Sequence, residues 1–519
     1  MSKGGENLTQ NDSEESSRGA NPLPTPRYSK RYFGFRLAAL LLGLLPFLLL
    51  EISLYCVGWT QADGLKDPYV GFVESSPLFN FNPSTDHFEV ADSRKPLFCA
   101  DSFSAKKSPN EFRVFCVGGS TVQGRPFAIE TAFSTWLELN LTAADDSKNW
   151  NVINCGGVSY ASYRLAPIVE EIVGYDPDLI VLYTGHNEFL EDRTYESVKS
   201  TSPWVAGAHQ RLSHLKSYSF LRDLAVSKGE SNQNRVPQLS KEVEARLDFR
   251  NGLEKYRRDD MWRQSVVRHF EHNLRRMLTA AKSANVPLVL CNPVSNLRDA
   301  SPFKSENRED MSAEELERFQ EIWKSVREDE NQGLSERRAE LEKLALLDPL
   351  HAEVHYRLGQ IYQMQGEFDK AKIHLVEAKE QDVCPLRIVE PMYEVINQVK
   401  EDFDVSWVDV KACFEKKAVD GIPGRRFLVD HVHPSIRGHQ LIADLLVEEM
   451  IKEEMVRKKE NYEERRIASY QNHLESLSHL YFQLGKDRLA GLKRWAKGEV
   501  TKRRDDRVDE PARAQSPNE

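Results

Sequence analysis

The sequence predicts an α/β fold: a three-layer domain around a parallel sheet, with a helical insertion and one N-terminal transmembrane helix. Three observations predict it. From residue 112 onward, continuous apolar runs alternate with amphipathic segments, as expected of strands buried on both faces and helices covering them. Between residues 297 and 400 a charged stretch of helical spacing interrupts the alternation. Near the N-terminus lies a leucine-rich run without charge.

The elements follow in order. The chain has 519 residues, more than one ordinary domain needs. Residues 1–31 are polar, rich in Ser, Asn, Gly and Pro, and read as a disordered cytoplasmic tail. "FGFRLAALLLGLLPFLLLEISLYCVGW" (33–59) follows, uncharged from Leu37 to Leu50. A span needs about 20 apolar residues, a length reached if Glu51 sits near an interface. A cleaved signal peptide is the competing reading. No A-x-A pattern follows the run, the preceding tail is long, and Tyr55 is too bulky to precede a lipoprotein Cys56. Residues 32–59 are therefore expected to be an uncleaved anchor. Arg27, Lys30, Arg31 and Arg36 precede the run, and no basic excess follows it around Asp63, Lys66 and Asp67. The positive-inside rule then places the N-terminus in the cytoplasm and residues 60–519 outside, in the periplasm if the source is bacterial.

Residues 60–111 read as a lead-in and 112–451 as the α/β domain. "FRVFCVGG" (112–119), "NVINCGG" (151–157) and "PDLIVLYTG" (177–185) are strand runs, separated by the helical patterns 132–141 and 163–175. Residues 261–293 read as a helix feeding a fourth strand, 403–410 as a fifth strand, and 434–451 as a helix with Pro434 in its first turn. Insertions are expected at 190–260 and 297–400. Within the second, "AEVHYRLGQIYQMQGEFDKAKIHLVEAKEQD" (352–382) places Leu358, Gly359, Tyr362, Ala371 and Ala378 as a tetratricopeptide-like helix pair does, although His355 and Val383 depart from its pattern. "RRAELEKLALLDP" (337–349) resembles the second helix of a preceding, degenerate repeat. Such an insertion is a candidate site for a protein partner. Residues 452–497 form a charged amphipathic helix whose stripe from Tyr470 to Leu489 either covers the insertion or stays solvated. Residues 498–519 are a disordered tail by composition.

Composition narrows the function. The net charge is −10, and no basic stripe suits nucleic acid. The seven cysteines form no CxxC and no Cys/His cluster of zinc spacing, so neither metal nor cofactor is expected. Cys116, Cys155 and Cys291 fall in strand runs and read as small buried residues.

Four short pieces lie in sequence at one predicted edge: "GGST" (118–121), "NCGGVSYAS" (154–162) and "GHNEF" (185–189) end the first three strands, and "DHVHP" (430–434) precedes the last helix of the domain. Each alone is an ordinary turn or cap; their weight comes from sharing one edge. On these pieces the chain resembles the SGNH/GDSL hydrolase family over about 112–190, 261–293 and 403–451. The resemblance implies Ser120 as nucleophile, Asn187 as a side-chain oxyanion donor, and Asp430 and His433 as the Asp-x-x-His dyad. A second, backbone oxyanion donor is implied at Ser159 by ungapped counting from Asn154, or at Gly157 with a two-residue shift. Gly118-Gly119-Ser120 stands where the family has Gly-Asp-Ser. The chemistry is self-consistent: a serine needs a base, and an imidazole needs an orienting carboxylate. The implied activity is a serine esterase or deacylase on an acyl ester, for example an acetyl group on a carbohydrate. An O-acyltransferase on an exported polysaccharide, or a scaffold with a vestigial site, are the alternatives. His431 and His439 read as surface or cap polarity, His186 and Glu188 as residues lining the mouth, and Arg125 as either solvated or facing an anionic or sugar substrate.

Overall fold

The computed structural model describes residues 30–57, 77–191, 215–218, 220–221, 243, 245–329 and 332–499. Almost all of the two expected terminal tails, and most of the insertion at 190–260, lie outside them. Two compact units divide the chain, one of residues 1–61 and 207–233, the other of 62–206 and 234–519.

In the first unit, α1 (Lys30–Cys56) runs for 27 residues. Glu51 on this helix accepts backbone N–H groups from Lys216 (2.9 Å) and Ser217 (2.6 Å). Leu42, Leu48, Leu49 and Ile52 are exposed, and many other α1 side chains lie outside the described residues. Among the described residues, no helix is long and apolar enough to cross a membrane.

The second unit is built on a five-stranded parallel sheet of order β5-β4-β6-β7-β8: β4 (Glu111–Gly118), β5 (Asn149–Gly156), β6 (Leu179–Tyr183), β7 (Leu288–Cys291) and β8 (Ser406–Val408). The central strands β4, β6 and β7 are buried along almost their whole length, which is why β6 and β7 read as unbroken apolar runs; β4 buries Glu111 and Arg113 as an ion pair before its apolar run from Val114. The chain leaves β4 in one direction to β5 and later continues on its other side with β6, so the topological switch lies beside β4.

Helices cover both faces. On one, α4 (Ser162–Ile172), α5 (Asp260–Ser283) and α10 (Glu390–Phe403) bury Leu165, Phe270 and Ile396 against Phe115, Ile180 and Leu290. On the other, α3 (Phe133–Ala144), α11 (Val410–Lys417) and α12 (Ile436–Lys452) bury Trp136, Phe414 and Leu446 in one core with Val114, Val181 and Val289. A three-layer α/β architecture is thus in place.

Several boundaries differ from expectation. The lead-in holds a small antiparallel sheet, β1 (Phe79–Asn82), β2 (His87–Val90) and β3 (Ser102–Ser104). Phe79 and Phe103 meet edge-on at 5.0 Å, and Phe103 meets Phe115 of the main sheet at 5.3 Å. The second insertion ends before α10, because α10 contributes Met392, Val395 and Val399 to the sheet-side core. It comprises α6 (Ala313–Glu328), α7 (Leu334–Leu347), α8 (Ala352–Met364) and α9 (Phe368–Glu380), with a separate core around Phe319, Leu341, Leu358 and Leu375. Pro434 precedes α12 rather than sitting in its first turn: Ser435 is the cap, its Oγ accepting from Gly438 N–H at 3.1 Å.

The charged helix expected at 452–497 is two helices, α13 (Tyr462–Ser476) and α14 (His479–Ala496), broken where Ser478 caps the second. Its stripe covers the α/β domain instead of the insertion. Tyr470 packs edge-on against Trp136 of α3 (4.8 Å), while Leu480 and Leu484 stay exposed.

Candidate active site

β4 delivers the chain to the carboxyl edge of the sheet at Gly118. Gly119 is extended and opens the short helix α2 (Ser120–Gln123). Gly124 closes it with φ of 100°, a left-handed conformation that favours glycine. Ser120 thus sits on a sharp strand-to-helix turn. A Cβ on residue 119 would lie 2.5 Å from Asn187 Nδ2, so glycine at 119 is what lets the loop after β6 approach the turn after β4.

Ser120 Oγ lies 2.8 Å from His433 Nε2, and His433 Nδ1 lies 2.7 Å from Asp430 Oδ2. Asp430 Oδ1 accepts the backbone N–H groups of Val432 (3.0 Å) and His433 (2.8 Å), which fixes the carboxylate inside its own turn. Asn296, in the segment after β7, braces that turn by donating to Asp430 O from its side chain and to His431 O from its backbone, each at 3.0 Å. Burial pushes the Asp430 pKa up, but the neighbouring His433 and His431 and the N–H groups of His433 outweigh this and hold it well below the usual carboxylate range. An ionised Asp430 only accepts, so His433 carries its proton on Nδ1. Its Nε2 then accepts from the Ser120 hydroxyl.

Asn187 anchors one side-chain N–H on Tyr160 O at 2.9 Å, leaving the amide's second N–H. The two backbone candidates differ. Gly157 N–H already donates to Gly118 O at 3.0 Å, which closes the sheet edge and removes Gly157 from use. Ser159, at φ 62°, makes no such backbone bond among the described residues and lines the cavity.

That cavity measures about 380 Å³. Ser120, Asn187, His433 and Ser159 line one part of it, and Leu97, Val158, Leu190, Leu386 and Val432 give it apolar walls. Arg125 also faces it, together with Arg488, Leu492 and Trp495 of α14. The packing of α14 here escaped sequence reasoning. Its amphipathic stripe was visible, but its partner lies more than 300 residues away.

Four flanking residues sit elsewhere than expected. His431 lines the cavity, and burial lowers its pKa to about 4. His439 is wholly buried under Phe133, both ring nitrogens without a hydrogen-bond partner among the described residues, and burial lowers its pKa to about 3. His186 is buried, with Nδ1 accepting Ile388 N–H at 3.2 Å. Glu188 is buried too, accepting the backbone N–H and hydroxyl of Ser162, both at 2.8 Å. The last two hold loops together and do not line the mouth. Among the described residues, no cluster of three or more His, Cys, Asp or Glu is arranged to hold a metal ion.

Fold and site together define a class: a three-layer α/β protein with a Ser–His–Asp chain at the carboxyl edge of its sheet. No family model matches the sequence, and no curated protein does. Among solved structures, similarity is found to a lipase/acylhydrolase from Enterococcus faecalis, at 12% identity and a TM-score of 0.30, over 67% of this chain and 99% of that one. An acetylxylan esterase from Geobacillus stearothermophilus aligns at 15% identity and a TM-score of 0.30, over 67% of this chain and 96% of the other. A lipolytic protein of the G-D-S-L family from Desulfitobacterium hafniense aligns at 10% identity and a TM-score of 0.28, over 65% and 98%. The functional reading rests on the chain's own geometry.

Proposed function

We propose that this protein is a serine esterase that deacylates an ester through an acyl-serine intermediate. The observation that carries the reading is the unbroken hydrogen-bonded chain Ser120–His433–Asp430, opening into a cavity. In the first half-reaction Ser120 Oγ attacks the carbonyl carbon and His433 Nε2 takes its proton. Asp430 stabilises the imidazolium. The tetrahedral oxyanion receives the second N–H of Asn187 and the backbone N–H groups of Ser159 and Ser120. Collapse breaks the bond to the alcohol oxygen, which leaves with the proton from His433. In the second half, water adds to the acyl carbon as His433 takes its proton. The Ser120 ester bond then breaks, Ser120 regains the proton, and the acid is released.

In the same reading, residues 32–59 anchor the protein in a membrane with its N-terminus cytoplasmic and the catalytic unit extracytoplasmic. The cationic residues before the leucine run and the apolar exposure of α1 support this. The helix pair α8–α9 serves as a tetratricopeptide-like surface for a protein partner.

A fluorophosphonate probe tests the nucleophile. The wild-type protein is expected to label, and Ser120→Ala to lose the label. A folded wild type that does not label would refute the esterase reading, and equal labelling of both would move the nucleophile elsewhere.

A further inference from the structure

The acyl-transfer chemistry leaves two cations of the cavity unused. Arg125 stands one residue beyond Gly124, and its backbone N–H donates to the carbonyl of Ser120 itself at 3.1 Å. The guanidinium root is therefore fixed relative to the nucleophile. Its Nε donates to Gln123 Oε1 at 3.0 Å. Arg488 comes from α14 and reaches the same loop, donating from Nη1 to Phe127 O at 2.8 Å. That loop is clamped to α14: Tyr481 Oη lies 2.7 Å from Thr131 Oγ1, and Gly485 seats directly against the Phe127 ring.

Two guanidiniums held on one wall repel each other, and the neighbouring Arg488 charge adds to burial in lowering the Arg125 pKa. Among the described residues neither forms an ion pair; their side-chain hydrogen bonds go to an amide and a backbone carbonyl. The acid lining the cavity is Asp248, and its Oδ1 accepts from Trp495 Nε1 at 2.8 Å. Asp430 is engaged by His433, so among the described residues neither carboxylate pairs with Arg125 or Arg488, and each guanidinium keeps N–H donors for an anion. Guanidinium forks suit the two oxygens of a carboxylate.

We propose that Arg125 and Arg488 form a carboxylate subsite, so that the substrate is an acidic ester whose carboxylate lies beside the bond that Ser120 attacks. This rests on the esterase reading of the same cavity. The carboxylate belongs either to the acyl group, as in a dicarboxylic acid monoester, or to the alcohol, as in an acylated sugar acid.

Two matched ester pairs separate these sources: 4-nitrophenyl acetate against mono-4-nitrophenyl succinate, and acetylated methyl glucoside against acetylated methyl glucuronide. In the full-length protein kcat/KM favours the acidic member of at least one pair. That preference falls about ten-fold or more in Arg125→Gln and Arg488→Gln, and Arg488→Lys restores part of it. Absence of preference in both pairs, or a preference unchanged in the variants, overturns the subsite. Arg488 is exposed on α14, so Arg488→Gln carries the test if Arg125→Gln does not fold. Calorimetric binding of the acidic esters to Ser120→Ala reads the subsite without turnover. Arg488→Gln in that background weakens it about ten-fold, and equal binding overturns the proposal. Ser120-dependent cleavage of neutral esters alone would leave the esterase reading standing and remove only the subsite.

Discussion

A single methyl group at residue 119 should disable the site while leaving the fold intact. The Cβ of Gly119→Ala would lie 2.5 Å from Asn187 Nδ2 and 3.3 Å from Tyr160 O. An ordinary contact needs about 3.4 Å or more, so the Asn187 amide must retreat by about 1 Å. The amide is the tip of a side chain on a loop, and residue 119 has an extended backbone that alanine tolerates. The overpacking therefore costs about 1 kcal/mol, the low end of its range. Catalysis pays far more. Displacing one oxyanion donor costs about 3 kcal/mol of barrier, about 100- to 1,000-fold in kcat. The assay is kcat on a neutral aryl ester for wild type, Gly119→Ala, Asn187→Ala and the double variant, with Tm measured alongside. Because both single changes remove the same donor, the double variant should be no slower than either by more than about three-fold. A folded Gly119→Ala within about three-fold of wild type would refute the role given to Asn187. Fully additive losses would show that the two residues act separately.

Two further outcomes are expected. His439 is buried neutral, its pKa lowered to about 3 by burial and then by the nearby His433, against about 6.5 for an unperturbed histidine. Its contribution to stability is therefore complete above about pH 6.5 and declines as pH falls towards about 3, because the unfolded chain binds the proton first. Between pH 7.5 and 5 the unfolding free energy of His439→Leu should drop by about 2 kcal/mol less than that of wild type, measured by denaturant titration at each pH; parallel curves would contradict the linkage. For the anchor, the full chain should stay with membranes through alkaline carbonate, and a chain lacking residues 32–59 should not. Release of the full chain by salt would sink the anchor.

The parts of this architecture legible in sequence are those whose physics is local. β6 is legible within two residues because a strand covered on both faces leaves no polar position to blur it, and β4 and β5 are legible from their apolar cores at Val114–Val117 and Val152–Cys155 despite Arg113 and Asn154. Ser120 and Asn187 are legible as short pieces at strand ends and Asp430 and His433 as an Asp-x-x-His before a helix, and the structure brings Ser120, Asn187 and His433 to one cavity. β1 to β3 were missed because strands of three or four residues have too little alternation to register. The burial of His431 and His439 is not legible in sequence, because a polar residue beside the Asp430–His433 pair carries no local sign of it. The choice between Gly157 and Ser159 turned on which backbone N–H was already engaged by Gly118 O. The pairing of Arg125 with Arg488 depends on a contact spanning 361 positions, from Phe127 to Arg488.

The wall supplied by α14 also orders events in time. A ribosome that has reached residue 478 has already delivered Ser120, Asp430 and His433, yet the segment carrying Arg488, Leu492 and Trp495 is still missing. Ser120 and the finished cavity wall therefore arrive separately during synthesis. Contacts of such long sequence separation are slow to form, so the α14 wall is the last part of the cavity to close beside Ser120. On the esterase reading proposed above, the subsite containing Arg488 is complete only then.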